Sequence, residues 1–273
     1  MLDLQNKAQL QLEADLRHAI EREQLEVVYQ PQVDLFTGDV ICAEALIRWH
    51  HPHRGDIPPG KFIPIAEETG LIEPIGNWIL EQACLQLKKW HSKGWHKLKL
   101  SINLSARQFN QRDICNKLVS IFKNAAVKTD CIELEITEST LVQHPAFAVR
   151  KLRQLAEMGI KVAIDDFGTG YSSLAYLQQF PFHILKIDRS FIHQIDRNDR
   201  NEAITKAIIE LAHNLNLTVV GEGVETEQEL KILKRFDCDV IQGYLFSPPL
   251  KARSFEHLLE SDQTLARLAQ LKL

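Results

Sequence analysis

Long apolar runs are missing from this sequence of 273 residues. No stretch approaches the roughly 18 consecutive apolar residues that mark a candidate membrane-spanning helix. The sequence therefore predicts no membrane contact by this chain. Residues 1–20 place leucines at helical spacing among charged residues, and they lack the apolar core of a signal peptide. We predict an amphipathic N-terminal helix that leads into the main fold.

Cysteine is also scarce. The five cysteines are odd in number, widely spaced and without a CxxC pair. This pattern argues against both a disulfide scaffold and a zinc ribbon. Free thiols are typical of a reducing compartment, so we expect a cytoplasmic location.

An excess of positive charge is absent as well. The 32 Lys and Arg residues face 36 Asp and Glu residues, which gives a formal net charge of −4. A clamp for polymeric nucleic acid would show the opposite sign in a patch or stripe. An anionic substrate would therefore need local cations or metal ions to bridge it to this protein.

The sequence contains no Ser/Gly linker, low-complexity tract or charge block, and we predict a single domain over residues 1–273. Short apolar segments alternate with amphipathic helical segments such as 77–94, 146–159 and 201–216, which predicts a parallel sheet with connecting helices. The predicted strands are residues 26–33, 39–49, 97–105, 131–137, 160–166, 182–188, 217–223 and 239–246. Little more than residues 36–38 separates the first two strands, so they must form a hairpin and one must run antiparallel. The predicted fold class is α/β, a modified TIM (β/α)8 barrel with one antiparallel strand.

Polar side chains recur inside the predicted strands. Glu133 and Glu135, for example, share the strand face opposite Leu134. Buried carboxylates are rare unless they are paired or bind metal, and the carboxyl ends of barrel strands meet at one mouth. The oxygen ligands gathered there, beside Lys186, would be Glu44, Asn103, Glu135, Asp165, Asp166 and Glu222. Such a set suits Mg²⁺ or Mn²⁺ better than zinc.

Other interpretations exist for the individual residues. Each carboxylate alone could be a rim residue paired with Lys or Arg, and only the repetition across strands favours a shared site. His50, His51 and His53 resemble a metal cluster, but they flank Pro52, and we interpret them as part of an exposed loop.

The motifs that carry these residues resemble those of the EAL domain family, the phosphodiesterases of the bacterial messenger cyclic di-GMP. The matching segments are AEALIRW, SINLSARQF, LEITES, IDDFGTGYSSL, LKIDRSF, GEGVET and QGYLFSPPL. They follow the family's order from Gln30 to about Pro249. The resemblance implies a modified TIM barrel, cyclic di-GMP as substrate, two Mg²⁺ or Mn²⁺ ions, and linear 5′-pGpG as product. It also implies a homodimer and upstream sensor domains in a longer protein.

The resemblance implies a role for each site residue as well. One ion would be held by Glu44, Asn103, Glu135 and Asp165, and a second by Asp165, Asp166 and Glu222. The catalytic residues would be Lys186, Glu44, Asp165 and Glu222, with Lys186 contacting the attacking water. The substrate-binding residues would be Gln30, Arg48, Asp188, Gln242 and Glu225, with Asp188 and Glu225 behind the ligands. Glu138 would anchor the loop of residues 166–173 through donors among Thr169, Tyr171, Ser172 and Ser173.

Two alternatives remain open. A non-catalytic EAL domain could bind cyclic di-GMP or a partner protein, although such domains usually lack ligands or the lysine that this sequence keeps. An unrelated metal-dependent barrel of the enolase type would use similar ligands, but it would not explain DDFGTGYSSL or QGYLF. The sequence therefore favours a metal-dependent phosphodiesterase.

Overall fold

The fold is a closed barrel of strands surrounded by helices. The structure, a computed structural model, describes residues 2–142, 145–169, 177 and 179–261. The strands are β1 (Leu25–Asp34), β2 (Val40–His51), β3 (Gly55–Ile57), β4 (Lys99–Asn103), β5 (Ile132–Thr137), β6 (Lys161–Phe167), β7 (Ile184–Ile187), β8 (Thr218–Glu222) and β9 (Val240–Gln242). All except β3 form the barrel, in the order β1-β9-β8-β7-β6-β5-β4-β2, and β1 pairs with β2 to close it. The short β3 extends the sheet beside β2.

Helices follow most of the barrel strands, as in a TIM barrel. The described α-helices are α1 (Leu2–Arg17), α2 (Pro59–Thr69), α3 (Ile72–Ser92), α4 (Ala106–Asn110), α5 (Ile114–Ala125), α6 (Glu138–Val142), α7 (Pro145–Glu157), α8 (Arg189–Ile192), α9 (Asp199–Asn214), α10 (Glu227–Arg235) and α11 (Ala252–Glu260). Short 3₁₀ turns lie at Thr129–Cys131 and Ile195–Arg197. No helix of these described ranges is long and apolar enough to cross a membrane.

The predicted hairpin and its antiparallel strand are confirmed. Strand β1 runs antiparallel to both β2 and β9, whereas the other barrel neighbours are parallel. The carboxylate of Asp34 accepts hydrogen bonds from the backbone N–H of Phe36 at 2.9 Å and of Thr37 at 2.7 Å, which fixes the turn. The positive φ of 78° at Gly38 completes the turn in a conformation that glycine adopts without strain.

The main core lies between the barrel and its helices. The outward faces of the strands bury residues such as Leu100, Ile102 and Leu134, which pack in one cluster with Leu87 and Trp90 of α3. Complete burial of one such side chain contributes roughly 1.5–3 kcal/mol to folding. Because the apolar face of each strand is used outside, its polar face is left to fill the barrel interior.

Part of the interior is nevertheless apolar. Ala163, Ile184, Val220 and Val240 form a separate buried cluster, one residue from each of β6 to β9. Each lies two residues before the residue that its strand presents at the mouth, so this apolar floor supports one side of the site.

Several predicted boundaries differ from the structure. Helix α3 begins at Ile72, five residues before the predicted start, and the N-terminal helix ends at Arg17. Strand β9 ends at Gln242 and does not reach residue 246. The chain turns there because the N–H of Leu245 donates to the Val224 carbonyl at 3.0 Å, while the N–H of Val224 donates to the Gln242 carbonyl at 3.1 Å.

This turn predicts a strict requirement for glycine at position 243. A Cβ at Gly243 would overlap the backbone oxygen and nitrogen of Val224, which cannot rotate away. Gly243→Ala should therefore lower the free energy of unfolding by roughly 1–3 kcal/mol or more, as measured by urea denaturation. Gly60→Ala is the control, since a Cβ at Gly60 in α2 meets nothing within 4 Å. Equal stability of the two variants would contradict the close approach.

Candidate functional site

The barrel strands bring polar side chains to one level at the mouth. In the sheet register, Gln30 lies opposite Glu44, Asn103 opposite Glu135, and Glu222 opposite Gln242. Side chains of such facing partners project to the same side of the sheet, here towards the barrel axis. The resulting mouth ring, in order around the barrel, consists of Gln30, Glu44, Asn103, Glu135, Asp165, Lys186, Glu222 and Gln242.

Lys186 lies at the centre of this ring and is 1% exposed. Its Nζ atom is 2.7 Å from Glu135 Oε2 and 2.7 Å from Glu222 Oε1. It is also 3.3 Å from Asp165 Oδ1 and 3.8 Å from Glu44 Oε1. A buried ammonium is stable only when anions compensate for its lost hydration. Here four carboxylates surround one ammonium, so the mouth carries an excess of negative charge.

The crowding of charges shifts the pKa values of the ring. Burial opposes the charged form of Lys186, but the carboxylates, with Asp165 and Glu135 foremost, outweigh it and raise the lysine pKa well above its usual value. Burial raises the pKa of Glu135 well above the ordinary range, and the charge of Glu44 adds to the rise. Burial also raises the pKa of Glu222 to about 8. The ring therefore needs further positive charge to hold all its carboxylates ionised at neutral pH.

Glu44 is held differently from the other carboxylates. Burial alone would raise its pKa, but Lys186 and hydrogen bonds from its neighbours lower it overall. Asn103 Nδ2 donates to Glu44 Oε1 at 2.8 Å, and Gln242 Nε2 donates to Glu44 Oε2. Two amides thus fix the orientation of this carboxylate.

Asp165 and Asp166 are consecutive, yet both carboxylates reach the mouth. In a regular strand they would face opposite sides. The pairing of β6 with β7 is irregular between Ile164 and Phe167, and Asp166 has a positive φ of 54°. This bulge turns Asp166 so that one oxygen each of Asp165, Asp166 and Glu222 lies within 4.8 Å of the others. Burial, followed by the charge of Asp165, raises the pKa of Asp166.

The arrangement fits bound cations. Glu135 Oε2 and Asp165 Oδ1 are buried and contact the Lys186 ammonium at 2.7 Å and 3.3 Å, but neither contact has the alignment of a hydrogen bond. One ammonium shared among four buried carboxylates leaves a net negative charge, which bound cations would compensate. The available atoms are all oxygens, which match hard divalent ions such as Mg²⁺ or Mn²⁺. The residues that could hold such ions are Glu44, Asn103, Glu135, Asp165, Asp166 and Glu222.

Two residues that the sequence analysis did not assign to the site lie just below the ring. Ser101 donates its hydroxyl to Glu135 Oε1 at 2.6 Å, and Gln32 Nε2 donates to Gln242 Oε1 at 3.0 Å. Ser101 is two residues from Asn103, and Gln32 is two residues from Gln30, so the period of two along each strand was the available signal.

Other predicted site residues lie outside the ring. Arg48 lines the adjoining cleft and donates to its neighbour's carbonyl, that of Ile47, at 2.8 Å. Asp188 caps α8 by accepting from the N–H of Ser190 at 3.0 Å, and its charge contributes to the raised pKa of Asp166. Glu225 pairs with Arg189 at 2.8 Å.

The predicted loop anchor, Glu138, begins α6 directly after β5, and its side chain is buried. Thr169, one of its predicted donors, gives its hydroxyl hydrogen bond to the Asp166 carbonyl at 2.8 Å. Gly170, Tyr171, Ser172 and Ser173 lie outside the described residues.

The histidines near Pro52 lie apart from the mouth ring. His50 is exposed and contacts Asp56 at 2.5 Å and Glu26 at 2.9 Å. The expectation of an exposed loop was wrong for His51, which is buried and lies 3.3 Å from Asp15 of α1. His51 is buried because α1 packs against this end of β2 through Leu16, in one cluster with Trp49.

A cleft of about 600 Å³ opens from the ring. Glu44, Asn103 and Glu135 line one end, and Ile63, Ile72 and Ile79 contribute an apolar wall. Another cavity, of about 470 Å³, lies at the opposite end of the barrel beside Val40 and Leu98, away from the carboxylates of the mouth ring. The first cleft therefore combines the acidic ring with room for a ligand of nucleotide size.

The sequence of this chain is similar to those of known proteins. MucR of Pseudomonas aeruginosa, a bifunctional diguanylate cyclase/cyclic di-GMP phosphodiesterase, is 44% identical over 253 residues, which are 93% of this chain and 36% of MucR. The cyclic di-GMP phosphodiesterase NbdA of the same organism is 41% identical over 253 residues, 93% of this chain and 32% of NbdA. This chain thus spans about a third of the length of these curated relatives.

A solved structure and a family model agree with these relatives. The structure of the PaMucR phosphodiesterase in complex with c-di-GMP superposes with a TM-score of 0.87 at 43% identity, covering 90% of this chain and 99% of that chain. The model of the EAL domain matches residues 13–249. The match covers most of the chain and contains every residue of the mouth ring, and the chain therefore belongs to the EAL domain family.

Proposed function

We propose that this protein is a metal-dependent phosphodiesterase that hydrolyses cyclic di-GMP to linear 5′-pGpG. The observation that carries the proposal is the mouth ring, in which oxygen ligands from five strands surround the buried Lys186. The names of the relatives MucR and NbdA support the same activity, and the MucR structure contains the messenger.

The chemistry of the cleft suits this substrate. A cyclic dinucleotide presents two phosphodiesters and two purine bases, and the cleft offers an acidic end, an apolar isoleucine wall and Arg48. The carboxylates would repel a phosphodiester unless cations lay between them. The guanidinium of Arg48 can donate to phosphate oxygens at the same mouth.

The ligands divide into two sets in this proposal. Glu44, Asn103, Glu135 and Asp165 would hold one ion, and Asp165, Asp166 and Glu222 a second. The bound ions would supply Lewis-acid chemistry, both for activating water and for neutralising charge on the phosphodiester. In the proposed step water attacks phosphorus in line and loses a proton, the bond from phosphorus to the 3′ oxygen breaks, that oxygen gains a proton to become a 3′ hydroxyl, and the phosphate remains on the 5′ side.

Lys186 would act through the positive charge of its ammonium group. Its ammonium is held in place by carboxylates of four strands, so it is preorganised and needs no rearrangement during the reaction. In this position it can contact the attacking water and stabilise negative charge that develops on the phosphate. Glu44, Asp165 and Glu222 would serve catalysis as ligands that orient the reacting groups.

The amides at the mouth would divide their tasks. Gln30 donates to the Ser247 carbonyl at 3.2 Å and retains a second N–H for the substrate. Gln242 Nε2 donates to both Gln30 Oε1 and Glu44 Oε2, so its contacts favour a role in orienting Glu44. Direct substrate binding by Gln242, Asp188 and Glu225 stays a prediction.

The neighbouring domains, oligomeric state and cellular location of this domain stay predictions as well. Because the curated relatives are much longer than this chain, we propose that residues 1–273 act as one EAL domain beside sensor domains. Homodimerisation and a cytoplasmic location belong to the same proposal.

The alternative is an EAL domain that binds the messenger without turnover. The complete ligand set and Lys186 favour the enzyme, because binding alone does not require a site for activating water. Product analysis separates the two functions, as follows.

We expect hydrolysis to depend on Mg²⁺ or Mn²⁺. The protein should convert cyclic di-GMP to linear pGpG with either ion and lose this activity in excess chelator, as measured by chromatography of the products. Ca²⁺ should support binding better than turnover because its larger and looser coordination misplaces the attacking water. Messenger binding without product in Mg²⁺ or Mn²⁺ would favour the receptor, and full activity in chelator would contradict metal dependence.

Replacement of Lys186 should separate chemistry from binding. Lys186→Met keeps the aliphatic length but removes the charge, so turnover with Mn²⁺ should fall by about 100-fold or more while messenger affinity in Ca²⁺ changes by less than about tenfold. Single-turnover kinetics and calorimetry measure the two quantities. Arg48→Met is the comparison, since a phosphate contact should affect affinity more strongly. A loss of half the activity or less in Lys186→Met would contradict its role.

Glu138 is predicted to act through the loop that follows Asp165 and Asp166. Glu138→Ala should lower activity and Mg²⁺ affinity by about tenfold or more, while leaving the melting temperature in chelator almost unchanged. Excess Mn²⁺ should restore part of the activity. Glu135→Ala is the comparison, because removal of a direct ligand should resist rescue. Equal and unrescued losses in both variants would place Glu138 among the ligands.

A further inference from the structure

A series of hydrogen-bonded amides leads from Gln32, below the mouth ring, to Glu44. Gln32 Nε2 donates to Gln242 Oε1 at 3.0 Å. Gln242 Nε2 in turn donates to Gln30 Oε1 at 3.0 Å and to Glu44 Oε2. All four side chains are buried, so water does not compete for these bonds.

The carboxylate of Glu44, at the end of this series of hydrogen bonds, determines which groups donate and which accept. A carboxylate only accepts hydrogen bonds, so Gln242 must turn its NH₂ group towards Glu44. Its carbonyl oxygen then points the other way and needs a donor, which Gln32 supplies. With the Gln242 amide reversed, its oxygen would face the Glu44 carboxylate, and two acceptors would repel each other.

The barrel geometry brings Gln32 to this place. Gln32 lies on the antiparallel strand β1, opposite Cys42 of β2, two residues from Gln30 and on the same strand face. The β1–β2 register shifts between Gln32 and Val33, where β1 leaves β2 and begins to pair with β9. The residue at this junction can therefore reach Gln242, the last residue of β9.

From this arrangement we infer that Gln32 is a positioning residue, which orients Glu44 for metal binding by fixing the amide of Gln242. The inference rests on the proposed function, because Glu44 matters here as a metal ligand. The side chain of Gln32 donates to Gln242 and lies two residues below Gln30 of the mouth ring along β1. Loss of its donor would free the Gln242 amide to turn and leave Glu44 oriented through Oε1 by Asn103, so both metal affinity and turnover would fall while the cleft kept its shape.

The test compares Gln32→Met, Gln242→Met, the double variant and the control Gln24→Met in the full chain. Gln24 is also a buried glutamine with one side-chain hydrogen bond, from Trp49 Nε1 at 3.1 Å, but it lies outside the mouth. Calorimetry gives the Mn²⁺ affinity, steady-state kinetics give kcat and KM, and the melting temperature in chelator reports folding. Gln32→Leu replaces Gln32→Met should the latter fold poorly.

Gln32→Met should weaken Mn²⁺ binding and lower kcat by about tenfold each, the scale expected for groups that orient metal ligands. KM should stay within about threefold, since ground-state substrate contacts are unchanged. The double variant should match Gln242→Met to within about twofold, because Gln32 acts through Gln242. Gln24→Met should lower only the melting temperature.

Wild-type Mn²⁺ affinity and kcat in Gln32→Met would overturn the inference, as would additive losses in the double variant. In either case a wild-type protein that binds Mn²⁺ and hydrolyses cyclic di-GMP leaves the proposed function intact. A wild-type protein that neither binds Mn²⁺ nor forms product would instead overturn the proposed function, and the inference with it.

Discussion

The buried ammonium of Lys186 holds the mouth of this barrel together. Carboxylates from β2, β5, β6 and β8 converge on it, with the two nearest oxygens at 2.7 Å. Without this charge, four acidic groups in a region of low dielectric constant would repel one another or become protonated. One lysine carries a single charge against four carboxylates, and burial, reinforced by the neighbouring carboxylates, raises the pKa of Glu135 and Glu222. The same imbalance, which is unfavourable in the protein alone, would favour binding of the divalent cations that we propose.

The barrel makes this concentration of charge possible because each strand contributes only one or two of the charged side chains. Glu135, Asp165 and Glu222 lie near the carboxyl ends of their strands, and Glu44 lies within the longer β2, while the outward faces of the strands bury aliphatic residues such as Leu100 and Leu134. The free energy of the packed exterior compensates for the polar interior. A site with this many buried charges on a single loop would lack such a compensating core.

The sequence was informative where a regular period applied. Alternation along β5 correctly separated Glu133 and Glu135 from Leu134, and the short link at residues 36–38 predicted the antiparallel strand. It was less informative where the chain departs from regular geometry. The bulge that turns Asp166 depends on a positive φ, and the early end of β9 depends on contact with Val224. The contact with Val224 joins residues that are distant in sequence. The roles of Gln32 and Ser101 likewise depend on partners in other strands.

The two sides of the mouth differ in what orients their ligands. Around Glu44 and Glu135 the support is polar, because Asn103, Gln242 and Ser101 donate directly to the carboxylates. Beneath Asp165 and Glu222 lies the apolar floor of Ala163 and Val220, and both carboxylates contact the shared ammonium of Lys186. Hydrogen bonds specify the orientation of a carboxylate, whereas apolar packing specifies only its location. We therefore expect Glu44 and Glu135 to be oriented by protein hydrogen bonds before any cation binds, and the exposed Asp166 to take its final orientation from the cation that we propose.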